Sequence, residues 1–256
     1  MKFLRFLLPY TYFYASRVQQ IKYNVYHLIM DWVVPFALLT YFSGFDVVGS
    51  LLKFALAYLA FISVYEIGYL GNDVFSVRHE TNPRRRVKNF DPSNAEVGLW
   101  VVARLAVWLG ISWYLQVLTN PIWLVYYGVL VLFFYLHNVL KEKELKVMTF
   151  VNLAFTRYLA PIFIFLTPEQ ITLLVGPVLL NYVLYRTLMY IDSKGMLNMP
   201  NRTSPAYKVN FYVLAGGVSL VMSMLAQSWI PLAINAYYLA FWFAVKLSGK
   251  EAPQTD

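Results

Sequence analysis

Glu66, Asp73 and Glu80 place an acid at every seventh residue, and Arg84, Arg85, Arg86 and Lys88 follow directly. If the helix carrying Glu66 continues past Glu80, that spacing is two turns each time and the three carboxylates share one face. Asn72 and Ser76 fall close to the same line. A row of oxygen ligands suits Mg²⁺, which takes a few carboxylates and completes its shell with water and substrate phosphates. Arginines beside it offer charge-assisted, bidentate bonds to phosphate. Acids for a metal next to bases for phosphate describe a site for a diphosphate. Plainer readings stand beside this one. The basic run also serves as a topology anchor, Asn72-Asp73 and Asp192…Gly195 as helix stops and turns, and Glu66 as the partner of an arginine on another helix. Arg104, Arg157 and Arg186 are the candidates for that pairing, so Glu66, Arg157 and Arg186 form a second candidate polar site. An ionisable residue inside a membrane span is costly and is usually paired or functional.

The elements that must hold these residues are apolar. The chain of 256 residues is 59% hydrophobic and only 13% charged, well below the ~25% charged fraction of soluble domains. Apolar runs at 25–43, 49–71, 95–116, 121–140, 147–166, 169–190, 208–227 and 229–247 are each long enough to cross ~30 Å of hydrocarbon. No run of short alternating strands points to a barrel. The expected fold is all-α, a polytopic transmembrane bundle forming one membrane domain over 1–256. Residues 1–24 are apolar, aromatic and basic, and read as an interfacial segment. They carry no small-residue cleavage site of the signal-peptide kind.

Charge gives an independent test of this layout, because cytoplasmic loops hold Lys and Arg. With eight spans, one side receives every cation except Lys53, Arg104, Arg157 and Arg186. Both termini and the loops 72–94 and 191–207 are therefore expected at the cytoplasmic face of a plasma (inner) membrane. Topology accounts for most of the net charge of +8, so no nucleic-acid partner is implied, and anionic membrane lipid would be drawn to the same face. Cysteine is absent and the three histidines stand apart, which excludes thiolate chemistry and gives no zinc motif. Oligomeric state is not written in the sequence.

The stretch "NDVFSVRHETNPRRR" resembles the first acidic motif of the UbiA superfamily of intramembrane prenyltransferases, NDxxDxxxD followed by Asn and basic residues. Asn72 and Asp73 match its opening, Glu80 replaces its last Asp, and Ser76 departs from its middle Asp. "DSKG…NRTSP", from Asp192, is similar to the second acidic motif, with one Asp remaining. The resemblance implies a UbiA-like bundle of about eight to nine spans, in which two cytoplasmic loops meet over a cavity, hold Mg²⁺ and bind a diphosphate. It assigns Asn72, Asp73, Glu80 and Asp192 to metal and diphosphate, with Asp73, Glu80 and Asp192 catalytic. Arg84, Arg85, Arg86, Lys194 and Arg202 become phosphate holders. The implied partners are a diphosphate donor and a polyprenyl lipid. The loss of carboxylates from both motifs, and the turn "LMYIDSKGMLNMP", lean toward the branch that transfers 5-phosphoribose from phosphoribosyl diphosphate (PRPP) to polyprenyl phosphate. The alternatives are a prenyltransferase using polyprenyl diphosphate and an aromatic or lipid-alcohol acceptor, and a transporter or scaffold without chemistry.

Overall fold

The computed structural model describes residues 6–74, 86–87 and 90–249. Within these, every regular element is helical. A short hook, Thr11–Phe13 continued by a π-helical turn Tyr14–Val18, precedes eight helices. They are α1 Ile21–Phe42, α2 Val47–Val74, α3 Asn94–Tyr114, α4 Pro121–Val139, α5 Lys143–Leu159, α6 Pro168–Ser193, α7 Pro205–Leu225 and α8 Ile230–Leu247. Several starts are written plainly in the sequence. Asn120-Pro121, Thr167-Pro168 and Ser204-Pro205 each put a side-chain acceptor at the N-cap and a proline at the first helical position, where its missing N–H costs nothing. Ser93 and Glu96 close a reciprocal capping box at α3.

Seven of these helices are long and apolar enough to cross a membrane. The exception is α5, where a span over 147–166 is expected. It has 17 residues and carries Lys143, Glu144, Lys146 and Arg157. It stops at Leu159, just before Pro161, which lacks the N–H that would continue the ladder. Long apolar side chains on the outer faces are exposed, among them Leu99, Val102, Trp113, Val125, Leu214, Val221 and Leu225. Water would penalise such a surface and lipid does not. The protein is a helical membrane protein.

Neighbours in sequence pack as antiparallel pairs: α2 with α3, α4 with α5, and α7 with α8. Two helices widen into π-turns, Leu28–Trp32 within α1 and Leu179–Leu184 within α6. Pro35 lies just beyond the first and Pro177 just before the second. A widened turn leaves carbonyls short of partners, which hydrocarbon does not forgive. Tyrosines supply them. Tyr237 and Tyr238 of α8 donate to the carbonyls of Ile29 and Met30 at 2.9 and 3.0 Å, and Tyr212 donates to that of Asn181 at 3.0 Å.

The hook is held by a buried ion pair between neighbouring helices. Glu66 of α2 and Arg104 of α3 approach to 2.7 Å with no side-chain exposure on either. Glu66 Oε1 accepts the Phe13 N–H at 2.7 Å. The Arg104 guanidinium donates to the carbonyls of Phe6, Leu7 and Leu8. Of the arginines open to Glu66, the one on the adjacent antiparallel helix takes it. The N-terminal segment, expected at the interface, thus buries Phe6, Tyr12, Phe13 and Val18 in the bundle.

At the α2–α4 crossing, a Cβ placed on Gly68 would lie 2.2 Å from the Phe134 ring. That ring is wedged against Tyr65 and Tyr69, with centroids at 4.6 and 6.1 Å, so it has little room to turn aside. Gly68→Ala is expected to destabilise by about 1–3 kcal/mol, seen as a lower unfolding temperature in detergent. Phe134→Leu in the same chain should restore part of it; an unshifted Gly68→Ala would show that the crossing is slack.

Candidate functional site

Asp73, at the last turn of α2, is the carboxylate of the first expected motif that falls among the described residues. Arg17 of the hook reaches it with both ends of its fork, Nη1 to Oδ2 at 2.9 Å and Nη2 to Oδ1 at 3.1 Å. Tyr12 donates its hydroxyl to Oδ2 at 2.9 Å, and Asn72 donates to Oδ1 at 3.3 Å. Arg86, from the basic run, brings Nε to 3.9 Å. Burial alone would lower the Arg17 pKa, but the Asp73 carboxylate outweighs it and holds it above the ordinary value. Burial first, then Asp73, pushes the Tyr12 phenol up, so it stays a neutral donor.

Asp192 sits one residue before the end of α6. Its Oδ1 accepts the Met199 N–H at 2.6 Å, and its Oδ2 pairs with Arg202 Nε at 2.9 Å. Arg202 also donates to the Met189 carbonyl at 3.1 Å. The polar loop after α6 is thus folded back on its own helix. The Lys194 carbonyl accepts from Lys143 at 3.5 Å.

The ends of α2 and α6 meet the same helix. Asn138, in the last turn of α4, donates to the Gly68 carbonyl at 3.4 Å. Its neighbour His137 lies with its ring centroid 6.2 Å from that of Tyr190, and Phe150 stacks on Tyr190 at 4.3 Å. The bonds of Asp73 and those of Asp192 draw on different residues. Glu80, Arg84 and Arg85 lie outside the described residues.

Mg²⁺ can be tested against the donors present. No three of His, Cys, Asp and Glu converge among the described residues. The Asp73 oxygens are already engaged by Arg17, Tyr12 and Asn72, and those of Asp192 by Arg202 and the Met199 amide. The described donors therefore do not by themselves make a Mg²⁺ site.

Deeper in the bundle lies a cluster that the acidic motifs do not announce. Asp31, in the π-turn of α1, is 4% exposed. Its Oδ1 accepts from Tyr182 at 2.8 Å and from Arg186 Nη2 at 2.9 Å, while its Oδ2 accepts from Arg157 Nη2 at 2.5 Å. His27 Nδ1, one turn earlier, is 3.2 Å from Oδ2. The widened turns place two of these groups, Asp31 and Tyr182. The expected grouping of Glu66 with Arg157 and Arg186 is divided: Glu66 belongs to Arg104, and the other two arginines belong to Asp31.

Tyr69 joins the two levels. The Arg17 guanidinium lies over its ring at 4.3 Å, and its hydroxyl is 3.5 Å from Arg157 Nη1. Arg17, Arg157 and Arg186 thus share the carboxylates of Asp73 and Asp31, in a continuous polar track leading from the end of α2 into an apolar bundle. Among the described residues this arrangement holds more cations than acids, and it suits an anionic group.

No family model matches the chain, and no curated protein and no solved structure matches it.

Proposed function

We propose that this chain is an intramembrane transferase of UbiA type, working at the cytoplasmic face on a diphosphate donor and a polyprenyl lipid. The reaction we favour is transfer of 5-phosphoribose from PRPP to polyprenyl phosphate. One observation supports the reading: the arginine-rich track that begins at Asp73, in the last turn of α2, and runs through Tyr69 to Asp31. Excess guanidinium inside a bundle of this kind is costly unless an anion completes it, and planar forks match phosphate oxygens.

In this reading Asp73 aims Arg17 and Arg86 at the diphosphate. As the diphosphate leaves C1 of the ribose, the C1–O bond breaks and its electron pair goes to the diphosphate, whose growing charge the arginines stabilise. An oxygen of the acceptor phosphate forms the new bond to C1. The acceptor oxygen is already ionised at neutral pH, so the step releases no proton and needs no general base. That suits the two described histidines, since His27 is engaged by Asp31 and His137 by Thr149 at 2.8 Å. Mg²⁺ carried on the donor diphosphate would add to the charge stabilisation that the arginines provide there.

The experiment is direct. Purified protein in detergent, given labelled PRPP, polyprenyl phosphate and Mg²⁺, is expected to yield labelled lipid. Chelation with EDTA should abolish the product and added Mg²⁺ should restore it. Absence of labelled lipid beside an active control enzyme overturns the phosphoribosyl reading. Product from polyprenyl diphosphate and an aromatic acceptor instead would make the chain a prenyltransferase.

A further inference from the structure

We infer that Arg157 and Arg186, anchored on Asp31, form an internal subsite for a phosphomonoester, separate from the carboxylates at the ends of α2 and α6. The inference rests on the transferase reading only for the identity of the phosphate it would seat. The subsite itself stands on geometry.

Each guanidinium spends one nitrogen on Asp31, Nη2 in both cases. Arg157 Nη1 adds only a long contact to Tyr69 at 3.5 Å. The described contacts leave Nε and Nη1 of Arg186 and Nε of Arg157 without an acceptor. Part of each side chain also stays accessible. The Arg186 side chain keeps 20% of its surface accessible and that of Arg157 10%, although Asp31 between them keeps 3%. Tyr182, whose ring lies 4.8 Å from the Arg186 guanidinium, is 1% exposed. The protein thus closes around the carboxylate and the phenol more completely than around the two arginine side chains, although the Arg157 guanidinium also lies 5.1 Å from the Phe13 ring centroid. Two arginines on one carboxylate leave a positive charge, and a buried cation without a counter-charge costs several kcal/mol. A phosphate would supply both the charge and the missing acceptors.

The position fits a second phosphate rather than the first. Arg186 is six residues before Asp192 on a helical stretch, a rise of about 9 Å. Tyr69, which touches Arg157, is four residues before Asp73, about 6 Å. A group held at Arg157 and Arg186 is therefore roughly one phosphate-sugar length further in than one held beside Asp73 and Asp192. Because both arginines grip the two oxygens of a single carboxylate, their remaining N–H groups lie within reach of one phosphoryl group. In the reaction proposed, two molecules carry such a group: the lipid acceptor, and the 5-position of the donor.

Equilibrium binding of geranylgeranyl phosphate, geranylgeraniol, PRPP and inorganic phosphate to the whole chain in detergent tests the subsite. The wild type should hold geranylgeranyl phosphate 10- to 100-fold more tightly than the alcohol, the range expected for bonds to a charged group. Inorganic phosphate should compete. Arg186→Gln should bring the lipid phosphate down to the level of the alcohol, with Arg186→Lys keeping part of the difference. If Arg186→Gln instead weakens PRPP by the same factor and spares the lipid, the seated group is the donor's. Equal binding of phosphate and alcohol by the wild type, with PRPP untouched by Arg186→Gln, overturns the subsite; the first comparison needs no variant to fold. Phosphate-dependent binding without transfer would retire the phosphoribosyl reading and leave the subsite standing.

Discussion

Arg104→Met should cost the protein about 3–5 kcal/mol, the loss typical when one member of a buried ion pair is removed. The unfolding midpoint in detergent should fall accordingly. Two penalties combine. Glu66 is left as a carboxylate with no exposed surface and no counter-charge, and the carbonyls of Phe6, Leu7 and Leu8 lose the guanidinium that serves all three. Adding Glu66→Gln removes the first penalty, because the amide oxygen still accepts the Phe13 N–H. It leaves the second, which at about 1–3 kcal/mol for each unsatisfied buried group is not small. The double variant should therefore recover only part of the loss. A single variant that melts with the wild type would mean that Arg104 does not pin the hook.

Asp73→Asn is expected to slow transfer by on the order of 10²–10³, the scale of losing one well-aimed electrostatic group in a reaction centre. The substitution is nearly isosteric, and the amide oxygen can keep one bond to Tyr12 or Arg17. What it removes is the charge that fixes Arg17 as a bidentate fork at 2.9 and 3.1 Å. Turnover should therefore suffer while affinity for the lipid phosphate stays. Arg186→Gln should show the opposite split. Measuring both constants for both variants separates the roles, and a wild-type rate for Asp73→Asn would remove Asp73 from the reaction.

Much of the bundle could be read from runs of apolar residues, because each helix in lipid must be long and apolar on its own account. The proline-marked starts of α4, α6 and α7 were equally visible. The fifth run was not what it appeared. Its apolar stretch continues through Pro161 into a turn and a short tight helix at Phe163–Phe165, and hydropathy alone does not register a broken backbone. Asp31 was legible by the same rule that singled out Glu66, since both are acids within an apolar run. Arg17 was not, because its role depends on a hook whose path from Tyr10 to Gln19 is set by contacts with α2 and α3. Which arginine meets which acid is likewise a matter of packing. Sequence offered Glu66 three partners, and only the pairing of α2 with α3 decides among them.

The hook's carbonyls and the arginine that satisfies them are separated by nearly a hundred residues of chain. During synthesis the N-terminal stretch leaves the ribosome long before Arg104 does, so it cannot settle into its final place until α3 has entered the membrane. Full docking of the leading segment, with its carbonyls on Arg104, therefore follows the emergence of α3. Nascent chains halted ahead of Arg104 should leave that segment open to added protease, and chains halted after α3 has emerged should shield it.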